Sequence, residues 1–203
     1  MAELLTLYEN NLNQQHINKV VAVLEAGGLI IYPTDTVYAL GCLINQPTAL
    51  ARFEKIKGVS LAKAQLSFLF SSISALSNYV APIDNAQYRF LNRYLPGPFA
   101  FIMQAAKKMP KPFEKRKTIG CRIVDHPVLE ALLAQLSAPL LTSSIHDPDE
   151  VLDYTTDPQD LFLQWSDQID LMIDCGYGGN NPSTVVDLTV SPPETIRQGA
   201  GIL

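Results

Sequence analysis

The sequence predicts an α/β protein: a single domain, residues 1–203, built on a mixed, twisted sheet with flanking helices. Three observations lead there. Short apolar runs of strand length, such as Leu29-Ile30-Ile31-Tyr32, alternate with stretches whose apolar residues recur at helical spacing, such as Ile17, Val20, Val21 and Leu24. The alternation keeps no strict strand–helix–strand rhythm, so several strands can pair antiparallel. With 47% hydrophobic and 17% charged side chains, the chain can bury a real core, and no repeat or Pro/Ser-rich linker divides it.

The elements follow in order. The first helix, over 17–24, is stopped by Gly27-Gly28 and feeds the strand 29–32. That strand ends on Pro33 and then emits Thr34, Asp35, Thr36 and Tyr38. Side chains leaving a sheet tip in this way can converge on a ligand, although an ordinary polar turn accounts for the same residues. A helix over 48–56 carries Leu50, Phe53 and Ile56 on one face. A short strand at 66–70 and a short helix at 73–79 come next. The amphipathic stretch 84–94 stops at Leu95-Pro96-Gly97-Pro98, where two prolines disfavour continuation. Strands are expected at 99–103 and 118–124, the second ending in Asp125-His126-Pro127, with Pro127 suited to the first turn of a helix over 128–136. A buried strand at 139–143 ends in Thr142, Ser143 and Ser144. The acidic stretch 147–160 reads as a long loop with room for one helical turn. Strands at 169–174 and 184–188 follow, the latter entered through Pro182-Ser183, and Arg197 comes near the carboxyl end.

Composition narrows the function. A net charge of −5 argues against nucleic-acid binding by overall field. The cluster Lys107, Lys108, Lys111, Lys115, Arg116 and Lys117 reads first as a solvated loop, with a local RNA patch as the alternative. Cys42, Cys121 and Cys175 are too widely spaced for a metal or disulfide framework, and His16, His126 and His146 lack ligand spacing. No apolar run reaches membrane length and no basic start precedes an apolar core, so a cytoplasmic location is expected. Phosphate-loop, dinucleotide-turn and Ser-His-Asp signatures are missing. What remains is a set of hydroxyls and cations at strand ends: Thr34, Thr36, Lys57, Lys63, Thr118, Arg122, Thr142, Ser144, Ser183 and Arg197. Thr118 and Arg122, four apart on one strand, share a face. Together these groups suit an anionic small molecule. Singly, the threonines are explained by β-propensity and the lysines by solubility. Arg122 interrupts an apolar run and, if buried, needs an anionic partner.

The motifs Tyr32-Pro33-Thr34-Asp35-Thr36-Val37-Tyr38-Ala39-Leu40-Gly41, Pro96-Gly97-Pro98, Thr118-Ile119-Gly120-Cys121-Arg122, Asp125-His126-Pro127, Thr142-Ser143-Ser144, Pro182-Ser183-Thr184-Val185-Val186-Asp187 and Arg197-Gln198-Gly199 occur in an order and spacing that resembles the YrdC/YciO family of L-threonylcarbamoyladenylate synthases, over residues 17–199. The resemblance implies a twisted open α/β fold with a large cavity. It implies a reaction joining threonine, bicarbonate and ATP into threonylcarbamoyl-AMP for tRNA modification, with Mg²⁺ carried on the nucleotide. It places Thr34, Thr142 and Ser183 beside threonine and Arg122 on its carboxylate. Lys57, Lys63, Thr118, Ser144 and Arg197 would face the ATP, and Lys57 and Arg122 would be the catalytic pair.

Two departures stand out. Active members carry Lys-x-Arg, where this chain has Lys57-Gly58-Val59, and Ser-Ala-Asn, where it has Ser144-Ile145-His146. An arginine acting on transition-state charge is worth about three or more powers of ten in rate. With the run Lys115-Arg116-Lys117 before Thr118, these changes resemble the YciO branch. Three readings follow: a slow threonylcarbamoyl-AMP synthase; a nucleotide- or double-stranded-RNA-binding protein with little synthase activity; a degenerate relative kept for another partner. Lys57, Arg122, Ser144 and Arg197 speak for a retained anion pocket and against the third.

Overall fold

The computed structural model describes residues 2–62, 64, 66–145 and 155–203; Lys63 and His146, singled out above, lie outside the described residues. Ten strands form one sheet. They are β1 (Glu3–Thr6), β2 (Ile30–Tyr32), β3 (Ala39–Leu43), β4 (Ser67–Leu69), β5 (Phe99–Gln104), β6 (Thr118–Arg122), β7 (Leu140–Ser144), β8 (Leu171–Asp174), β9 (Thr184–Asp187) and β10 (Glu194–Arg197). Their order is β1-β8-β2-β3-β7-β4-β6-β5-β9-β10. Parallel pairs (β1–β8, β2–β8, β4–β6, β5–β9) mix with antiparallel ones, as expected from the irregular rhythm of the sequence. The helices are α1 (Gln14–Glu25), α2 (Pro47–Lys57), α3 (Ile73–Ser77), α4 (Asn85–Tyr94), α5 (Pro127–Leu133) and α6 (Pro158–Trp165).

The two faces of the sheet are covered unequally. Because side chains alternate across a strand, Ile31 faces one apolar cluster while Ile30 and Tyr32 face the other. The first cluster runs the width of the sheet, from Leu40 through Phe68 and Phe101 to Val186. It is capped by Ala49, Leu50 and Phe53 of α2, Leu91 of α4 and Leu161 of α6. The second is capped by Ile17, Val20 and Leu24 of α1 and Val128, Leu129 and Leu132 of α5, and it contains no residue of β5, β6, β9 or β10. One face of the sheet therefore loses its helical cover halfway across.

Three strands and one helix were not legible in advance. The stretch 34–41, expected to leave the sheet, turns and re-enters it as β3, antiparallel to β2 with Tyr32 opposite Ala39. The turn is closed by the Thr34 hydroxyl, which donates to Val37 O at 2.7 Å and accepts from Thr36 N at 3.1 Å. Buried on both faces, β3 shows no apolar–polar alternation, and Gly41 weakens its strand signal. The edge strands β1 and β10 are short, and β10 is exposed at every residue. The expected loop over 147–160 lies largely outside the described residues; its last part opens α6, where Asp157 accepts from Gln159 N at 2.8 Å and Pro158 takes the first helical position. Among the described residues no helix is long and apolar enough to cross a membrane, and no three His, Cys, Asp or Glu side chains are placed to hold a metal.

Gly41 has a steric reason. A Cβ there would lie 2.7 Å from Cε1 and 2.9 Å from Oη of Tyr32, and 2.9 Å from the carbonyl of Leu141. The ring of Tyr32 crosses the glycine so that its hydroxyl can donate to Thr142 Oγ1 at 2.7 Å. Gly41→Ala is expected to destabilise the fold by about 1–3 kcal/mol through overpacking; an unchanged urea midpoint would refute this account of the glycine.

Candidate functional site

A cavity of about 410 Å³ lies on the uncovered half-face, within the usual size range of small-molecule sites. Its floor is the alternation of β6: Thr118, Gly120 and Arg122 face it, while Ile119 and Cys121 belong to the apolar cluster behind. Ser67 of β4, Thr142 and Ser144 of β7, Ile102 of β5 and Val185 of β9 extend the floor. Ser183 and Arg197 form the far wall. Gly120 keeps the floor low, since a Cβ there would meet Ser67 Oγ at 2.6 Å. The groups thus lie on a sheet face as well as at strand tips.

Six of the nine residues to which the resemblance gives a role line this cavity: Thr118, Arg122, Thr142, Ser144, Ser183 and Arg197. Two stand just behind its wall. Thr34 is buried, its hydroxyl spent on the turn and 3.0 Å from Thr36 Oγ1. Lys57, at the end of α2, donates to the carbonyl of Ser144 at 3.1 Å. The ninth, Lys63, lies outside the described residues. Tyr38 goes the other way, donating to Gly176 O at 2.7 Å from the opposite face of the sheet.

Arg122 and Asp35 join the two sides of the site. Their side chains are 9% and 7% exposed, and Nη2 of Arg122 donates to Asp35 Oδ1 at 2.8 Å and to Thr36 Oγ1 at 3.2 Å. Asp35 Oδ2 accepts from the backbone of Asp125 at 3.2 Å, and Thr36 Oγ1 lies 3.4 Å from Ser183 Oγ. Burial draws the guanidinium's pKa down, and the neighbouring Asp35 holds it up. Nε of Arg122 is buried without a partner, and Nη1 makes no hydrogen bond among the described residues. The anionic partner demanded by the sequence is therefore internal. Asp35 was visible only as part of a motif, with nothing to mark it as the partner of a residue 87 positions away.

The remaining cations are held differently. Arg197 Nη2 donates to Ser183 O at 2.7 Å. Arg116, also lining the cavity, donates through Nε to Leu61 O at 3.1 Å and through Nη2 to Leu61 O and Ala64 O. With Lys57 on Ser144 O, all three are positioned by backbone carbonyls, and none has a carboxylate partner among the described residues. Among the described residues, none of those lining the cavity is acidic. A carbonyl orients a cation without cancelling its charge, so the cavity carries a positive field inside an acidic protein. The sequence hid Arg116 among lysines of a solvated run, although its spacing of two from Thr118 was a usable signal.

The Sua5/YciO/YrdC family model, labelled telomere recombination, matches residues 22–199. The chain is 36% identical to an uncharacterized protein of Haemophilus influenzae and 35% identical to YciO of Escherichia coli, covering 99% of this chain and 97% of the relative in both cases. It is 32% identical to a threonylcarbamoyl-AMP synthase of Coxiella burnetii over 67% of this chain and 73% of that one. The crystal structure of E. coli YciO superposes with a TM-score of 0.90, covering 100% of this chain and 98% of that chain. P. abyssi Sua5 complexed with L-threonine shares the fold at 24% identity and a TM-score of 0.84, over 97% of this chain and 57% of that one. From the family match across most of its length and its likeness to YciO in sequence and structure, the chain belongs to the Sua5/YciO/YrdC family.

Proposed function

We propose that the cavity binds Mg²⁺-ATP and threonine and forms threonylcarbamoyl-AMP slowly. The observation that carries the reading is the pair of guanidiniums, Arg116 and Arg197, that face hydroxyls across a cavity and meet no carboxylate among the described residues. A polyanion is the ligand that such a site is complementary to. The synthase name of the C. burnetii relative and the threonine held by P. abyssi Sua5 support the choice of substrates.

The chemistry needs little from the protein beyond placement and charge. Threonine's amine and bicarbonate condense to a carbamate with loss of water. A carbamate oxygen then attacks the α-phosphorus of ATP, the new O–P bond forming as the bond to pyrophosphate breaks. Arg122, with Nη1 unengaged, can take the threonine carboxylate, and Thr142 and Ser183 supply hydroxyls around it. Thr118, Ser144 and Arg197 face the phosphates, and Lys57, held on the Ser144 carbonyl, adds its charge from behind the wall. Holding both reactants in one cavity and neutralising the triphosphate supply the acceleration. Mg²⁺ enters on the nucleotide.

One observation favours a second reading, a nucleotide or RNA binder without useful synthase turnover. Val59 stands exposed in solvent, where the resemblance calls for an arginine, and its side chain does not line the cavity. The exposed Lys107, Lys108, Lys111, Lys115 and Lys117 would then serve a tRNA or double-stranded RNA backbone.

Pyrophosphate release with ATP, bicarbonate and Mg²⁺, measured with and without threonine, separates the two. The proposal expects slow, threonine-dependent release; ATP binding without it leaves the second reading in place. Arg122→Gln is expected to cut turnover about 100-fold or more, because the carboxylate anchor and the wall joined by Asp35 are lost together. Val59→Arg is expected to raise turnover at least about tenfold. If Val59→Arg leaves the rate unchanged, the missing guanidinium is not what limits this chain.

A further inference from the structure

Arg116 differs from the lysines on either side of it. Although β6 begins at Thr118, Ala105 N donates to Lys117 O at 2.9 Å, so pairing with β5 continues beyond the strand's end. Side-chain alternation carried back along this extended stretch puts Arg116 on the face of Thr118, Gly120 and Arg122. Arg116 lines the cavity, and Lys115 and Lys117 are exposed.

The position is also built from beneath. Phe113 is fully buried, edge-on to Phe68 of β4 at 5.0 Å between centroids, and its carbonyl accepts from Arg116 N at 3.0 Å. The guanidinium lies 5.8 Å from the centre of the Phe113 ring. Nε and Nη2 are used on the carbonyls of Leu61 and Ala64, which leaves the two N–H donors of Nη1 unengaged among the described residues. Two strands, β5 and β9, separate β6 from β10, which carries Arg197. Arg197 pairs with Val185 and Val185 with Ala100, which falls opposite Arg122, so Arg116 stands six residues further along and its backbone is about 24 Å from that of Arg197 at the usual strand dimensions. A single phosphate cannot bridge that width, whereas a chain of phosphates attached to a nucleoside can.

We infer that Arg116 is the specificity-determining residue that makes this cavity prefer a polyphosphate to a monophosphate, its Nη1 edge holding the outer phosphates. The nucleoside half of that ligand rests on the function proposed above; the grip on phosphates does not. Calorimetric titration with inorganic tripolyphosphate, ATP and AMP tests it. Arg116→Gln should weaken tripolyphosphate and ATP by about 10- to 100-fold, the worth of charge-assisted hydrogen bonds, and leave AMP unchanged. Arg116→Lys should recover part of the loss, and the double variant Lys115→Gln, Lys117→Gln should bind all three ligands like the wild type. Equal losses for ATP and AMP would mean that Arg116 only braces the 61–64 loop, and the inference falls. It falls also if the variant binds tripolyphosphate as the wild type does, or if the wild type binds no tripolyphosphate. Tripolyphosphate binding without ATP binding would sink the nucleotide reading while leaving the role of Arg116 standing.

Discussion

Everything at the site follows from the withdrawal of helical cover halfway across one sheet face. A sheet face packed under helices must be apolar, and the first half of this one is, under α1 and α5. Over β6, β5, β9 and β10 none of the described helices packs on this face, so it is free to carry Thr118, Arg122, Val185 and Arg197. The opposite face keeps an unbroken apolar layer from Leu40 to Val186, which keeps the bare half rigid. A polar floor can therefore be presented by regular strands, which hold side chains more firmly than loops do.

Charge on that floor is sorted into two kinds. Arg122 is compensated: with Asp35 beside it at 2.8 Å, the pair contributes little net field. Two charges this deeply buried cost several kcal/mol each to desolvate, so their attraction is not a source of stability. What the pair does is join the 33–38 turn to β6, with Thr36 reaching Ser183 on the far wall. Arg116, Arg197 and Lys57 are oriented by carbonyls and left electrostatically open. A ligand thus meets walls already joined to one another and charges that no carboxylate among the described residues cancels. That arrangement lowers the ordering cost of binding.

How much of this was legible in sequence depends on which physical signal each element sends. Helices with one apolar stripe, such as α1 and α4, announce themselves by periodicity and by the stops at Gly27-Gly28 and Pro96-Gly97-Pro98. Strands buried on one apolar run, such as β2 and β7, do so as well. β3 does not, because burial on both faces erases alternation and Gly41 is there to clear the Tyr32 ring, a contact made across the sheet. At the site, hydroxyls and cations were readable as a set, since their types point to anions whatever the fold. Their sorting was not. Asp35 becomes the partner of Arg122 only when the sheet closes, and Arg116 is separated from Lys115 and Lys117 only by the pairing of Lys117 with Ala105.

The same sorting bears on Val59. A side chain there is exposed in the loop after α2. A guanidinium at that position would add a mobile charge, whereas Arg116 is stacked near Phe113 and clamped to the carbonyls of that same loop. A charge clamped where it meets the ground-state phosphates binds them well, but it speeds the reaction only if it is aimed at the charge that builds on the leaving pyrophosphate. Catalysis depends on interactions that strengthen in the transition state, and binding that is uniform along the reaction leaves kcat where it was. A cavity whose cations are aimed at the ground-state phosphates is thus better suited to holding a polyphosphate than to turning it over, and on this physical ground binding and turnover can part company within one fold.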